Sequence, residues 1–572
     1  MTSAAVLDRD GAAAPVPEVE DRGAPTRPAR VALACVALLA VYGVLSLAID
    51  PRATLGSDSS GKLATLEVMS TRGRSSVDIG YWAAADDPSA ALHPLYYTGH
   101  VGEGFVQATT LPQLLVMSPL YDAGGARAAL LVPMIGGVLA ALAARALARR
   151  LGTSDGWEAF WAIGLATPVT LYALDVWEHA LGLGLMAWGV VLLYDVGASR
   201  AGWRSAFAGG ALLGLAATMR TEALVALFVA ASAACVVTLV RCGVRAAILR
   251  GIALSAGALV PLAANELLER ALIGSALRTG RAAGTAAQLG GDMQQRLQEA
   301  LTALTGLNRF VDPTDWILGA VIVANASTGA WLLGKRRAPV AGGACLAAAG
   351  ILVALLFADG LGFVPGLLSA SPLAAAGIVL AWSDRRHRVV AAAAVAMVVI
   401  TWVTQYAGGM RPQWGGRYIL LPGLLLATIA VVVLTRRPRA LLAVVALSGL
   451  VTAGGLAWYA ERSHTIVDGM EALVAREDDA VISVEAHLLR EGGSFYTPAR
   501  HWLTATDGAA LDRAFAIVRK AGDREVAVLA RAGTQLPDRF EGFERRSSTP
   551  FELRPGEPLS VVEYRATGAH GT

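Results

Sequence analysis

The chain has 572 residues, 55% of them hydrophobic and only 16% charged, with a formal net charge of +3. A soluble chain of this length would carry about 25% charged residues over several domains, so the composition excludes an ordinary soluble protein, and the small net charge does not suggest a nucleic-acid partner. Mean hydropathy is +0.52, and the apolar residues come in blocks of roughly 17–22, the length that crosses about 30 Å of hydrocarbon.

Residues 1–30 are rich in Ala, Pro and acidic side chains and read as a disordered cytoplasmic tail. The first apolar block, 31–49, is too long for a signal-peptide core and no small-x-small site follows it, so an uncleaved first helix is expected. A long segment, 50–126, comes next. Within it 105–121 is apolar but carries Pro112 and Pro119, and is expected to lie along the membrane interface. Twelve further blocks follow, at 127–148, 157–174, 179–194, 203–219, 222–240, 248–267, 316–334, 339–357, 362–382, 389–406, 417–435 and 439–459. The block at 362–382 contains Pro365 and Pro372, which a span tolerates when neighbouring helices satisfy the freed carbonyls. From about 460 the composition turns water-soluble. There 481–484, 526–530 and 559–564 read as strands and 508–520 as a helix.

Positive residues fix the expected orientation. With the N-terminus inside, the inner connections hold Arg149 and Arg150, 200–204, 241–250, 335–337, 385–388 and 436–439, all short and basic. The expectation is an all-α polytopic membrane protein of about 13 transmembrane helices over 31–460, N-terminus in and C-terminus out. A small extracytoplasmic α/β domain fills 461–572. Basic residues are almost all Arg, and with heavy Ala, Gly and Val usage this reads as the GC-rich coding of a bacterium. Cys35, Cys235, Cys242 and Cys345 lie within spans or at their cytoplasmic ends, so no structural disulfide is expected. No His/Cys cluster has zinc-ligand spacing.

Four outer segments carry chemistry-capable residues. The first loop opens with Gly56-Ser57-Asp58-Ser59-Ser60-Gly61-Lys62 and also holds Asp78, Asp86, Asp87, His93, His100 and Glu103. A helix cap or turn accounts for an Asp among Ser and Gly as readily as catalysis does. The second is the short turn Asp175-Val176-Trp177-Glu178-His179, either an interfacial cap or a source of a base, a ligand or an orienting group. The third, Met219-Arg220-Thr221-Glu222, is a self-paired hairpin or a polar wall, since Arg and Glu at that depth are costly unless paired. The fourth runs from Gly408 to Tyr418 and holds Arg411, Gln413, Trp414, Arg417 and Tyr418 among glycines. Guanidinium forks suit phosphate, although an ordinary hairpin with interfacial aromatics fits the pattern too. Together these put carboxylates and arginines on one side of the bilayer, the pair needed for transfer from a phosphate-linked donor.

In this arrangement the chain resembles the membrane glycosyltransferases of the GT-C fold, which use polyprenyl-phosphate sugars. The resemblance rests on the early acid Asp58 in a long first outer loop, and on the acidic turn with Asp175 and Glu178. It rests also on Arg220-Thr221-Glu222 where the family often has Arg-Pro-Glu, and on the stretch from Gly408 to Tyr418; it covers roughly 31–435. It implies Asp58 as general base of an inverting transfer, with Asp175, Glu178 or His179 supporting the acceptor. Lys62, Arg220, Glu222, Arg411, Gln413, Trp414, Arg417 and Tyr418 would bind substrate, with Arg220, Arg411 and Arg417 on the lipid phosphate. The partners implied are a polyprenyl-phosphate-linked sugar, an extracytoplasmic acceptor (cell-wall glycan, glycolipid or protein) and the lipid bilayer of the plasma membrane. Ser57-Asp58-Ser59 stands in place of a paired Asp motif, which weakens any metal requirement and leaves a divalent metal open as cofactor. The alternative is a transporter or lipid flippase, but no repeat relates the halves and ionisable residues deep in the spans are scarce. A scaffold presenting the C-terminal domain would need far fewer spans.

Overall fold

The computed structural model describes residues 28–102, 104–107, 110–277, 293–306, 313–335, 337–358, 364–404, 414–485 and 488–567. Nearly all of the expected tail at 1–30, together with Glu103, Arg411 and Gln413, lies outside them. Among the described residues ten helices are long and apolar enough to cross a membrane, the first Pro28–Ser46 and the last Pro438–Val474. Large apolar side chains such as Val36, Val240, Ile248 and Leu259 point outward from these helices. Outward apolar faces on long helices mark a multi-pass membrane protein, whose exterior is solvated by lipid.

Three of the thirteen expected blocks are not among those ten. The block at 157–174 divides into Trp157–Leu165 and Val169–Tyr172, because Pro168 brings no N–H to continue the ladder. The block at 362–382 divides at Ser371 into Leu367–Ala370 and Pro372–Leu380, where the Ser371 hydroxyl caps the second piece by accepting from Ala374 N. The block at 203–219 is one helix, Trp203–Met219, of 17 residues. Its Gly210 and Gly214 let the backbone approach helix Val244–Ile273. A Cβ at Gly210 would sit 2.1 Å from the Leu254 carbonyl oxygen, and one at Gly214 would sit 2.3 Å from that of Ala258. Gly214→Val should cost roughly 3 kcal/mol through overpacking and lower the melting temperature in detergent. Gly343→Val has nothing within 4 Å of its Cβ position and serves as control. Equal melting of the two variants would contradict this packing.

The long segment 50–126, expected on the outer side, is folded throughout its described length. Helix Ser57–Arg72 opens it, strands β1 (Thr98–Val101) and β2 (Gly104–Gln107) form an antiparallel hairpin, and helix Leu111–Ala129 follows. The segment expected along the interface is therefore a strand and then a helix.

The C-terminal part is a six-stranded sheet flanked by helix Gly508–Ala521, in agreement with the strands and helix expected there. Its strands are β3 (Ala480–Ser483), β4 (His501–Thr504), β5 (Glu525–Arg531), β6 (Arg539–Phe540), β7 (Phe543–Glu552) and β8 (Pro558–Ala566), in the order β4-β3-β5-β8-β7-β6. The first three are mutually parallel and the rest antiparallel. The sheet does not stand apart from the first loop. Ala64, Val68, Ile79, Leu92 and Phe105 share one hydrophobic core with Ile466, Met470, Trp502 and Phe515. Helix Pro438–Val474 carries the last span straight through position 460 into this core.

Residues 489–494 clasp the start of the first loop. Thr54 N donates to the Glu491 carbonyl at 3.0 Å, Ser494 Oγ donates to the Arg52 carbonyl at 2.8 Å, and Ser60 Oγ donates to the Leu489 carbonyl. The Glu491 side chain is buried among Arg554 at 2.8 Å, Arg462 at 3.2 Å and Arg490 at 3.3 Å. Burial works to raise its carboxyl, but the three guanidinium groups outweigh it and hold it at about 2, against an ordinary 4.5. A depressed folded-state value stabilises the fold above the ordinary value, and that contribution is lost as pH falls from 4.5 toward about 2. The contribution is on the order of 3 kcal/mol. The melting-temperature advantage of wild type over Glu491→Gln should therefore shrink as pH is lowered through that window. An advantage that stays constant would contradict the ion cluster.

Candidate active site

Three of the four expected segments, and the described end of the fourth, meet at one end of the helix bundle. Helix Ser57–Arg72 begins at Gly56, whose extended backbone lies against the Trp177 ring. Asp58 falls in its first turn and Lys62 one turn later, so both project from the same side. The turn 173–178 enters between Val169–Tyr172 and His179–Gly197. Arg220 and Thr221 join helix Trp203–Met219 to Glu222–Cys242. Finally Gly415 and Gly416, at φ +69° and +63°, take the left-handed turn that only glycine adopts cheaply. That turn brings Arg417 and Tyr418 to the site.

The carboxylates differ sharply in what holds them. Asp175 is buried and accepts from Leu55 N at 2.6 Å, Ser59 Oγ at 2.5 Å, Trp177 N at 2.9 Å and Tyr459 OH at 2.9 Å. Burial raises its carboxyl despite these four donors. Asp175 thus ties the first loop, its own turn and the last long helix into one piece. Glu178 pairs with Lys62 Nζ at 2.7 Å and Arg220 Nη1 at 3.0 Å. Burial works to raise its carboxyl, and the two cations outweigh it and hold it below the ordinary value. Arg220 Nε also meets Glu222 at 2.8 Å, so Lys62, Glu178, Arg220 and Glu222 alternate in sign along a buried chain. Lys62 is consumed as well, donating a further bond to the Asp58 carbonyl at 3.0 Å.

Asp58 is the exception. Its carboxylate is half-buried and carries one long contact, from Trp177 Nε1 at 3.4 Å, with no cation against it among the described residues. Polar atoms without partners are joined to it through Trp177 and through Lys62 and Glu178. Arg220 Nη2, Glu222 Oε2 and both ring nitrogens of His179 are enclosed and unbonded. His179 is held instead by aromatic rings, stacked on Tyr172 at 4.9 Å and edge-on to Trp177 at 4.3 Å. Arg417 lies over the rings of Trp177 at 5.3 Å and Tyr418 at 4.6 Å, and Arg220 covers Tyr418 at 5.0 Å. Trp414 sits behind, its carbonyl accepting from Tyr172 OH at 2.7 Å. The arrangement links a carboxylate with one long contact, through Trp177, to the His179 imidazole and the Arg417 guanidinium, and through Lys62 and Glu178 to Arg220, residue types suited to moving a proton and holding an anion.

The remaining first-loop acids and histidines hold the loop in place. Asp87 accepts from Tyr81 OH, Leu92 N and Arg513; Asp86 pairs with Lys520 at 2.6 Å; Asp78 accepts from Gly80 N and Phe105 N; and His93 meets the Tyr496 hydroxyl at 3.1 Å. His100 packs on Phe105. Among the described residues no group of three His, Cys, Asp or Glu is placed to hold a metal ion. Tyr172 and Tyr459, which complete the site's framework, carry no motif in the sequence.

No family model matches the sequence, and no curated protein is similar to it. Similar solved structures include the oligosaccharyltransferase of Archaeoglobus fulgidus in its apo form, with 11% identity, 86% of this chain and 69% of that chain covered, and a TM-score of 0.43. The same protein in complex with zinc and sulfate gives 13% identity, 86% and 67% coverage, and 0.43. ArnT from Cupriavidus metallidurans in the apo state gives 17% identity, 92% and 97% coverage, and 0.39. Such identities carry no residue's role across.

Proposed function

We propose that the protein is a membrane glycosyltransferase that moves a sugar from a polyprenyl-phosphate donor to a hydroxyl acceptor on the outer face of the membrane. The observation that carries the reading is the division among the carboxylates. Asp175 and Glu178 are committed to neighbours, whereas Asp58 alone of the three has, among the described residues, no ion pair and a single long contact, to the Trp177 indole that also packs on His179 and Arg417.

Asp58 accepts the proton of the acceptor hydroxyl as its oxygen attacks the anomeric carbon. The bond from that carbon to the phosphate oxygen breaks, its electron pair stays on the phosphate, and the phosphate gains a negative charge. Arg220 Nη2, a His179 N–H and Arg417 receive that charge. Attack from the face opposite the phosphate gives inversion. Asp175 and Glu178 act as positioning groups, and Lys62 locks the Asp58 helix to the 173–178 turn. Glu222 orients Arg220, and Trp414 and Tyr418 support the wall behind it.

The proposed orientation draws support from helix His179–Gly197, whose 19 residues span roughly 28 Å. Its first residue lies at the site, and Asp195 near its far end pairs with Arg150 at 2.5 Å. The Arg-rich end is cytoplasmic by the positive-inside rule, which supports an outer-face site and an extracytoplasmic sheet domain.

The test offers membranes polyprenyl-phosphate mannose and polyprenyl-phosphate arabinose, each labelled in the sugar. Label should leave the polyprenyl fraction for a covalent product with one of them. Label that crosses the bilayer still attached to its lipid would overturn transfer and favour a flippase.

A further inference from the structure

A second group of buried polar atoms lies beside Asp58, on elements that the proton and phosphate chemistry leaves unused. Gln107, Thr110 and Gln113 are at most 2% exposed. Gln107 Oε1, Thr110 Oγ1, Gln113 Oε1 and, across the hairpin, Thr98 Oγ1 have no hydrogen-bond partner. Thr98 is directly opposite Gln107 in the β1–β2 ladder, so the two share a face. Thr110 is the N-cap of helix Leu111–Ala129, yet its hydroxyl does not cap. Gln113 stands three residues on, along the same edge of that helix.

The amides are oriented by their surroundings. Gln107 Nε2 donates to the Tyr96 carbonyl at 3.2 Å, and Gln113 Nε2 donates to the Val176 carbonyl at 2.8 Å. Backbone carbonyls only accept, so the NH₂ groups must face them and the amide oxygens face away. Both glutamines adjoin the Asp58 neighbourhood. The Gln107 side chain fills the space where a Cβ on Gly61, one turn beyond Asp58, would approach it to 2.1 Å. Val176 immediately precedes the Trp177 whose indole reaches Asp58.

An enclosed polar oxygen without a hydrogen-bond partner costs on the order of 1–3 kcal/mol, and two amide oxygens and two hydroxyls left so on the hairpin and the helix that follows it imply a ligand that supplies donors. Phosphate supplies none when ionised, and a metal cation supplies none either. Sugar hydroxyls donate and accept, and so match two amide oxygens and two threonine hydroxyls. We propose that Thr98, Gln107, Thr110 and Gln113 form a subsite for the hydroxyl groups of a neutral sugar, on the acceptor side of Asp58. The assignment to the acceptor rests on the glycosyl-transfer reading; the hydroxyl chemistry stands without it. Anion recognition by Arg220, His179 and Arg417 and hydroxyl recognition by the glutamine and threonine group thus flank the Asp58 carboxylate.

The experiment measures binding, so that its failure is separable from a failure of transfer. Full-length protein in nanodiscs is titrated with the methyl glycosides of mannose, arabinose, glucose and galactose, and separately with inorganic phosphate. The variants are Thr110→Val, Gln107→Met and Gln113→Met. Thr110→Val keeps the shape and removes a hydroxyl that bonds to nothing, so folding is unaffected. At least one glycoside should bind wild type and bind each variant roughly tenfold more weakly, the worth of one hydrogen bond, with phosphate affinity unchanged. Glycoside binding equal in wild type and Thr110→Val, or no binding of any of the four, overturns the subsite even if labelled sugar is transferred. Weakened glycoside binding with no transfer in any assay keeps the subsite and removes the glycosyl-transfer reading.

Discussion

Asp58→Asn should retain fold and donor binding while turnover falls by about a hundred- to ten-thousand-fold, the usual worth of a positioned general base. The variant removes a proton acceptor and little else, because the Asp58 carboxylate makes one contact of 3.4 Å and no ion pair among the described residues. An asparagine amide fills the same volume, and its oxygen still accepts from the Trp177 indole. Asp175→Asn is the contrasting case. Its carboxylate accepts four hydrogen bonds from three segments, and an amide cannot accept all four with the same geometry. That variant should lose stability and activity together. Measuring melting temperature beside initial rate separates the two: Asp58→Asn moves only the rate. Turnover in Asp58→Asn within a factor of a few of wild type would remove Asp58 from the chemistry.

Glu178→Gln should be among the most destabilising single changes in the membrane region. It strips the shared counter-charge from Lys62, which is 1% exposed, and from Arg220, which is 5% exposed. Breaking a buried pair by removing one partner costs about 3–5 kcal/mol, because the other charge stays buried without compensation. Lys62 bears most of this, since Arg220 keeps Glu222 at 2.8 Å. The double variant Lys62→Met with Glu178→Gln removes both members and should recover most of the lost melting temperature. It should not recover turnover, because the helix carrying Asp58 is then no longer locked to the 173–178 turn. A Glu178→Gln protein as stable as wild type would mean that Lys62 and Glu178 do not meet.

The parts of the site that show in the sequence are those where charge interrupts apolar blocks. Asp58, Asp175, Glu178, His179, Arg220, Glu222 and Arg417 stand out for that reason, since ionisable groups at the ends of spans are costly and therefore placed to some purpose. Which carboxylate is free does not show. That depends on partners distant in the chain: Asp175 is silenced in part by Tyr459 and Ser59, and no spacing rule joins positions so far apart. Gln107 and Gln113 are equally silent, because an amide in a polar loop is unremarkable until its surroundings are seen to leave its oxygen bare.

The fold divides along the same line. Apolar length located ten of the membrane helices, and strand and helix patterning located the sheet domain. The break at Pro168 turned on whether neighbours rescue the lost hydrogen bond, which one chain segment cannot report. The last long helix continues past the end of its hydropathy because Ile466, Val467, Met470 and Leu473 keep a helical period facing the sheet's core. That period is visible in the sequence, but its partner, the long segment after the first helix, is not.

The most direct test of the proposed centre is an electron cryo-microscopy map of the full-length protein in nanodiscs with polyprenyl phosphate bound. The phosphate should lie within hydrogen-bond reach of Arg220 and His179, beside Arg417, with the Asp58 carboxylate facing the side where the sugar was. A phosphate bound at the opposite, Arg150 end of the bundle, with Arg220 and His179 left uncontacted, would contradict the assignment.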